Sequence, residues 1–514
     1  MKLARVTEPA SFRLLSFVLL LLLLAFYLPT WTWTGNEENY FQLAYRRIAP
    51  GAFSPWSAVF DHANARVVAE TLYGGLIELL GYESAHLVAR VGTAALYAAG
   101  LAAMFASVRL SLIEAGAVVL TFHLLGEQIL GGEWLFDGTE PKTMAYALVF
   151  VAIGAANLGR WRTALIACAG ATWMHFLVGG FWSLALGLCV VWQSRPDWRA
   201  VVRVLAGYVL MIAPLLAIIA HDQFATVSTL PLPRVDDVVP PVAEIYAWRN
   251  AHHVSPFVNP AIFPHWRRGF VALGVAIVAF VIVWRRRPPN KLLLSLAGVG
   301  LAELVLAVVI SYLDQDRLAL AKFYLFRPSS VTLLLLLSAA VIATRGVVNP
   351  RLRAWLICAP VLVLVAFRGL QHSHQGNRLE SGKGTAVPHE AELIAAITAS
   401  SVEGEIVVLD PALDPTPGGI RLSRLIERPT VVALKFVPTA PQDIQRWYLL
   451  LRWRERLFEG GCADGTRGVP VKLIVTSSQA ARERVANCGT VVWHRDDMAV
   501  INRASVSAEP ADSP

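Results

Sequence analysis

Apolar residues in this chain gather in long unbroken blocks separated by short polar turns. The first block is SFVLLLLLLAFYLPT, preceded by Lys2, Arg5 and Arg13. Others fall at about 86–108, 112–130, 143–159, 163–176, 178–193, 201–220, 269–284, 292–312, 328–344 and 354–368. A helix that crosses a bilayer needs roughly 20 apolar residues, so these blocks predict membrane spans. The first resembles the charged start and apolar centre of a signal peptide. The following TWTWTGNEENY offers no small-residue cleavage site, and the block reads as a retained span.

The turns between blocks alternate in charge. One set holds Arg109; Arg160 and Arg162; Arg195, Arg199 and Arg203; Arg285, Arg286, Arg287 and Lys291; and Arg345, Arg351 and Arg353. The other set carries the carboxylates and most histidines. Lys and Arg mark cytoplasmic turns, which puts the N-terminus inside. Residues 163–193 could form one long helix or two short ones turning at HFLVGG. Two short ones keep every basic turn on one side, giving about eleven spans and an outside C-terminus.

After Arg368 the pattern changes. A polar linker at 371–387 leads into an α/β rhythm over 388–505, and a polar tail at 506–514 reads as disordered. EIVVLD (405–410), PTVVALKF (429–436), KLIVTS (472–477), TVVWHR (490–495) and AVIN (499–502) predict strands. Residues 388–401, 441–459 and 478–486 predict helices. Such alternation favours a mostly parallel sheet. The expected fold is therefore an α-helical polytopic membrane domain over 1–370 with a small extracytoplasmic C-terminal α/β domain.

Composition sharpens this picture. The 514 residues are 55% hydrophobic and 16% charged, with mean hydropathy +0.52. The net charge of +8 comes from clusters between apolar blocks, so the partner it implies is a bilayer rather than nucleic acid. Cys168, Cys189 and Cys358 lie in apolar blocks and read as small hydrophobes. Cys462 and Cys488 lie in the polar C-terminal region, where a periplasmic location permits a disulfide.

The candidate chemistry lies in the outer loops, at 31–85, 131–142, 221–268 and 313–327, with a tight turn at His175. The first opens with GNEENYF and continues into a stretch whose apolar spacing suits a surface helix carrying Asp61, His62 and Glu70. The second holds Glu133, Asp137, Glu140 and Lys142, and the fourth holds Arg249, His252 and His253. The fifth, SYLDQDRLALAKFYLFRPSS, supplies Asp314, Asp316, Arg317, Lys322 and Arg327. Carboxylates at such a boundary can serve as general bases or hold a divalent cation such as Mg2+ or Mn2+. Arg and Lys can clamp a phosphate. His252 and His253 have no third ligand at a recognised zinc spacing. Tryptophans 31, 33, 56 and 134 with Tyr40 and Phe41 could stack on sugars or anchor the interface.

A retained first span, an outer first loop opening with paired acidic residues (Glu37–Glu38), a surface helix and many spans before an outer soluble domain resemble GT-C-type glycosyltransferases. The resemblance covers residues 1–370 at the level of architecture. It implies a polyprenyl-phosphate sugar donor, a glycan or lipid acceptor, and an acidic first-loop residue as base, here Glu37 or Glu38. Fifth-loop cations would stabilise the leaving phosphate. The elements GNEENY, TEPK, HHVSP and FRP also look like an uncharacterised bacterial family of multi-pass proteins, which implies no chemistry. The candidate catalytic residues are thus Glu37, Glu38 and Glu140. Candidate substrate contacts are Asp61, His62, Asp137, Lys142, His175, His252, His253, Arg317, Lys322 and Arg327.

Blander readings stand beside these. Glu37 and Glu38 could be solvated loop residues, Glu140 and Lys142 a local ion pair, and His175 the cap of a helical hairpin. The C-terminal cations Arg421, Arg424, Arg428, Lys435, Arg446, Arg452, Arg454 and Arg456 read mostly as solvated surface, or else as facing the membrane-side pocket or an anionic glycan. Trp447 and Trp453 read as packing. Competing functions are an O-antigen ligase or polymerase acting through loop Arg and His, a transporter or flippase of lipid-linked glycans, and a non-catalytic scaffold. Against transport, few charges fall within spans (Glu114, His123, Glu127 and Glu303) and there is no repeat.

Overall fold

A computed structural model describes residues 9–27, 33–53, 57, 64–136, 138–194, 198–224, 238–286, 290–320, 323–346, 349–374, 387–414, 417–462 and 469–503. The helices in chain order are α1 (Pro9–Tyr27), α2 (Gly35–Ile48), α3 (Val67–Ser107), α4 (Leu112–Leu124), α5 (Pro141–Asn157), α6 (Trp161–Met174), α7 (Phe176–Ser194) and α8 (Trp198–Phe224). Then come α9 (Val242–Arg249), α10 (Ala251–Val254), α11 (Phe263–Arg285), α12 (Lys291–Leu313), α13 (Ser329–Ala343) and α14 (Pro350–His374). Every apolar block of the sequence coincides with one of these helices. Five are long and apolar enough to cross a membrane, within α3, α7, α8, α11 and α12, and shorter apolar stretches lie in α1, α4 and α13.

Burial confirms why these segments are apolar. Leu19, Leu23, Tyr97, Phe105, Phe122 and Phe150 interlock in one large core. The opposite faces stay apolar too. On α8, Leu210 is 76% exposed, and on α11, Val271 is 66% exposed. A surface of that kind suits lipid and not water. Small residues set the closest helix approach. A Cβ on Gly154 would stand 2.6 Å from the Ala103 backbone, and one on Gly100 would stand 2.4 Å from the Ala147 carbonyl. Helices α3 and α5 therefore pack backbone to backbone, as membrane helices do at small residues.

The segment 163–193 is two helices, α6 and α7, broken at His175, whose backbone is extended. Within α3, a first helical segment and the following apolar one meet at Gly81, where the backbone is non-helical and the helix breaks direction. Gly81 has φ 73°, a left-handed value that glycine tolerates best.

Residues at four of the basic turns come together. Asn157 donates to Ser107 and accepts from Asn290 at 2.6 Å, while Arg345 donates to the carbonyls of Val108 and Arg109. Arg345 and Arg353 both pair with Glu114, which also caps α4 through Ser111. Beyond the opposite end of α4, Ile129 and Leu130 donate to Ser329 at the start of α13.

The C-terminal unit follows, with α15 (Glu390–Ser400), β1 (Ile406–Leu409), α16 (Pro417–Leu425), α17 (Pro441–Gly460), β2 (Val471–Thr476), a helix at Gln479–Val485, β3 (Thr490–Arg495) and β4 (Met498–Asn502). Its sheet order is β1-β2-β4-β3. Only β1 and β2 are parallel, because β3 and β4 form a terminal hairpin, so the sheet is mixed and not mostly parallel. The expected strand at 429–436 does not form. One bridge, Val407 to Thr430, holds before the chain turns away from the sheet. A disulfide joins Cys462 to Cys488. Trp447 and Trp453 are fully buried, and their core also takes in Ile245, Tyr246 and Val254 of the preceding loop.

The α3–α5 contact yields a direct test. Gly154→Val should lower stability by roughly 1–3 kcal/mol, as overpacking does. Gly116→Ala on α4, with nothing within 4 Å of the new Cβ, should be neutral or slightly stabilising. Thermal unfolding of both variants in detergent reads the difference.

Candidate functional site

The sequence Thr34-Gly-Asn-Glu37 opens α2 as a capping box, with Glu37 N donating to Thr34 Oγ1 and Thr34 N donating to Glu37 Oε2 at 2.8 Å. The same carboxylate accepts two bonds from Arg90 of α3, at 2.8 and 2.6 Å, and one from Thr139 N at 2.9 Å. His86 Nε2 lies 3.2 Å away. Burial works against the charge, yet His86 and Arg90 outweigh it and hold the Glu37 carboxyl at about 2. Gly138 lies directly over Glu37, where a Cβ would stand 3.2 Å from its carboxyl carbon.

Glu38 faces the C-terminal unit. Arg424 of α16 bonds it at 2.8 and 3.2 Å and reaches Glu83 at 2.7 Å. The guanidinium also lies 4.1 Å over the Trp33 ring. Burial raises the Glu38 carboxyl, only partly offset by Arg424. Both first-loop glutamates are therefore buried and bonded instead of solvated. Arg424 is likewise buried, which corrects its reading as surface.

A second ionic cluster lies beyond them, around Glu133, Glu140, Lys142 and Arg327. Lys142 Nζ stands 2.9 Å from Glu133 and 3.8 Å from Glu140, with its ammonium 3.9 Å over Trp134. Glu140 begins α5, but the reciprocal cap runs through Thr143 Oγ1 and the Glu140 backbone, so its carboxylate is not used in capping. The carboxylate is 1% exposed and its Oε1 meets no partner. Burial raises the Glu140 carboxyl, against Lys142, Asn36 and Lys435, which lower it. For Glu133 burial is outweighed by Lys142 and Arg327, so that carboxyl is held low. On balance, burial therefore opposes charge on Glu140 more than on Glu133.

Arg327 stacks 4.6 Å over Tyr324, and its Nε and Nη1 are shielded from solvent without a hydrogen-bond partner. A buried guanidinium in that state is rare unless an anion is meant to meet it. One glycine positions this wall. Gly131 has φ 89°, and a Cβ there would stand 2.3 Å from Phe326 Cβ, beside Arg327. Its carbonyl is 2.9 Å from His253 Nδ1. Burial, then His252, lowers His253 to about 3, so the ring is neutral and Nδ1–H donates to the carbonyl.

His175 sits at the α6–α7 break, 8% exposed, where Val178 N donates to its Nδ1 at 3.4 Å, as expected for a hairpin cap. The charges of Arg327, Arg66 and Lys142 reach it, so it borders the same cluster. His252 is exposed, with its ring 4.1 Å from that of His253. Arg317 is exposed and apart from the cluster. Asp61, His62, Asp137 and Lys322 lie outside the described residues.

The cluster does not suit a divalent cation. The Lys142 ammonium occupies the position between the two carboxylates where such an ion would bridge. Among the described residues, no three His, Cys, Asp or Glu side chains converge on a metal site. Three cations (Lys142, Arg327, Lys435) face two carboxylates, and that excess suits an anionic ligand. The sequence singled out Glu140, Lys142 and Arg327. It underweighted Glu133 and missed Arg90, whose only signal was its place as a lone cation within an apolar block.

No protein-family model matches the chain, and no curated protein matches it.

The Glu37 node predicts a pH signature. Its folded pKa lies below the unfolded value of 4.5, so its contribution is complete above pH 4.5 and lost as pH falls towards 2. Glu37→Gln should cost roughly 3–5 kcal/mol at neutral pH, as for breaking a buried ion pair. Unfolding in detergent should show the wild-type advantage shrinking over that acid window.

Proposed function

We propose that the protein is a membrane-embedded glycosyltransferase that moves a sugar from a polyprenyl-phosphate donor to a hydroxyl of a glycan or lipid acceptor. The observation that carries this reading is one buried ionic cluster in which Glu140 keeps an unsatisfied carboxylate oxygen and Arg327 an unsatisfied guanidinium, with Lys142 standing between Glu140 and Glu133 and Arg327 within electrostatic reach of Glu133. A base and an anion clamp in one dry site are what transfer from a phosphate leaving group requires.

In this reaction the Glu140 carboxylate takes the proton of the acceptor hydroxyl. The freed oxygen attacks the anomeric carbon, and the bond from that carbon to the phosphate oxygen breaks. The phosphate leaves with the electron pair, held by Arg327 and Lys142. Glu140 is favoured over Glu37 and Glu38 as base because those two are engaged by Arg90 and Arg424. The ligase alternative leans on His252 and His253, but His253 is already bonded to Gly131 and neutral.

The chain would span the bacterial inner membrane with its N-terminus and basic turns in the cytoplasm and the C-terminal unit in the periplasm. Supporting this, Arg345 and Arg353 of the last basic turn pair with Glu114 at the start of α4, while the disulfide-bonded C-terminal unit packs against α2 of the first outer loop.

The test is complementation of a deletion strain, read by mass spectrometry of lipid-linked glycans. Glu140→Gln should reach normal membrane abundance yet lose about 100-fold or more of transfer, the usual scale of a missing general base. Full restoration by Glu140→Gln would overturn the reading. With wild-type enzyme, rate should rise with pH through a value above the ordinary carboxylate range, since the base works deprotonated and burial raises Glu140.

A further inference from the structure

Residues 429–436, PTVVALKF, have the composition of a central strand, yet leave the sheet after Thr430. Four side chains hold them out. Arg454 donates to the Val432 carbonyl at 3.0 Å, Trp447 Nε1 to the Ala433 carbonyl at 2.9 Å, and Arg249 Nε to the Leu434 carbonyl at 2.7 Å. Asp414 accepts from Leu434 N at 2.7 Å. Buried backbone groups must be bonded, and here side chains replace the ladder that a strand would have supplied. A local rule broken with this much compensation is expected where function demands it.

What the detour delivers is Lys435. Its stem lies along Gly35 at the start of α2, where a Cβ would stand 3.5 Å from Lys435 Cε. Ala433 and Phe436, on either side, seat against Ile420 with Leu43 of α2 and Phe53 alongside. The ammonium feels the charges of Glu140, Lys142 and Arg249, and among the described residues no ion pair or hydrogen bond engages it. Burial, then Arg249, lowers this lysine to about 8, in keeping with a cation short of counter-charge.

We infer that the C-terminal unit completes the anion site, with Lys435 binding a phosphate monoester together with Arg327. This rests on the transferase reading for the chemical class of ligand, but assigns to the C-terminal unit a binding role that the reading does not require. Among the described residues no ion pair or hydrogen bond engages Lys435, and Arg327 Nε and Nη1 meet no hydrogen-bond partner, whereas Lys142 is engaged by Glu133.

The experiment measures binding of farnesyl phosphate and of inorganic phosphate to full-length protein in nanodiscs, for wild type, Lys435→Gln, Lys435→Met, Lys435→Arg and Arg327→Gln. Thermal unfolding confirms that each variant is folded. Lys435→Gln should weaken binding roughly tenfold, the scale of one charge-assisted hydrogen bond, and Lys435→Arg should recover most of it. Should Lys435→Gln fail to fold, Lys435→Met decides: roughly tenfold weaker binding in folded protein supports the role, and affinity equal to wild type overturns it. Unchanged affinity in Lys435→Gln with loss in Arg327→Gln would overturn this inference and leave the transferase reading standing. Unchanged affinity in both would overturn both. Lys435-dependent binding of farnesyl phosphate alone assigns the anion to a lipid headgroup. Equal binding of inorganic phosphate assigns it to the free ion, and both results uphold the role of Lys435.

Discussion

A carboxylate taken out of water is tolerable only if every oxygen is met, and Glu37 is met from three directions. The Thr34 amide, the Arg90 guanidinium and the Thr139 amide belong respectively to the start of α2, the body of α3 and the loop that leads into α5. Removing any one would leave charge stranded in a dry interior, so the three elements are bound to each other by the penalty of separation more than by attraction. The described residues of the loop from 131 to 140 have no regular structure of their own, and this node fixes where it ends. Glu140 comes one residue after Thr139, so the geometry of the ionic cluster follows from the bond that Thr139 makes to Glu37.

The same logic extends to the C-terminal unit. Glu38, adjacent to Glu37 on α2, needs a cation as badly as its neighbour, and α3 does not provide a second one. Arg424 comes from α16 instead, held flat over Trp33. One helix of 14 residues, α2, thereby presents adjacent carboxylates to two different partners. That arrangement couples the bundle to the sheet-bearing unit and leaves the neighbouring Asn36 and Tyr40 to line the space towards Glu140 and Arg327.

Much of the bundle was legible because the bilayer is a simple solvent. Long apolar blocks translate directly into helices, including the break at His175. What stayed hidden was pairing over distance. The acidic residues of GNEENY stand out in sequence, but their T-x-x-E spacing marks a helix cap, and nothing local reveals that Arg90 and Arg424 are their counter-charges. The strand expected at 429–436 failed for a similar reason. Its side-chain pattern is that of a strand, and the groups that peel it away, Arg249, Asp414, Trp447 and Arg454, come from other segments. Periodicity reports what a segment prefers alone, and tertiary bonds decided otherwise.

The Glu38–Arg424 bond spans 386 residues, so its two ends emerge from the ribosome far apart in time. Until the last quarter of the chain has been made and has packed against α2, that helix carries an acid without the cation that matches it. A nascent or truncated chain is thus marked as incomplete by a local defect at its beginning. Assembly of this protein reads as a closing step, in which the last unit to arrive certifies the first loop, and only a finished polypeptide owns a quiet interior.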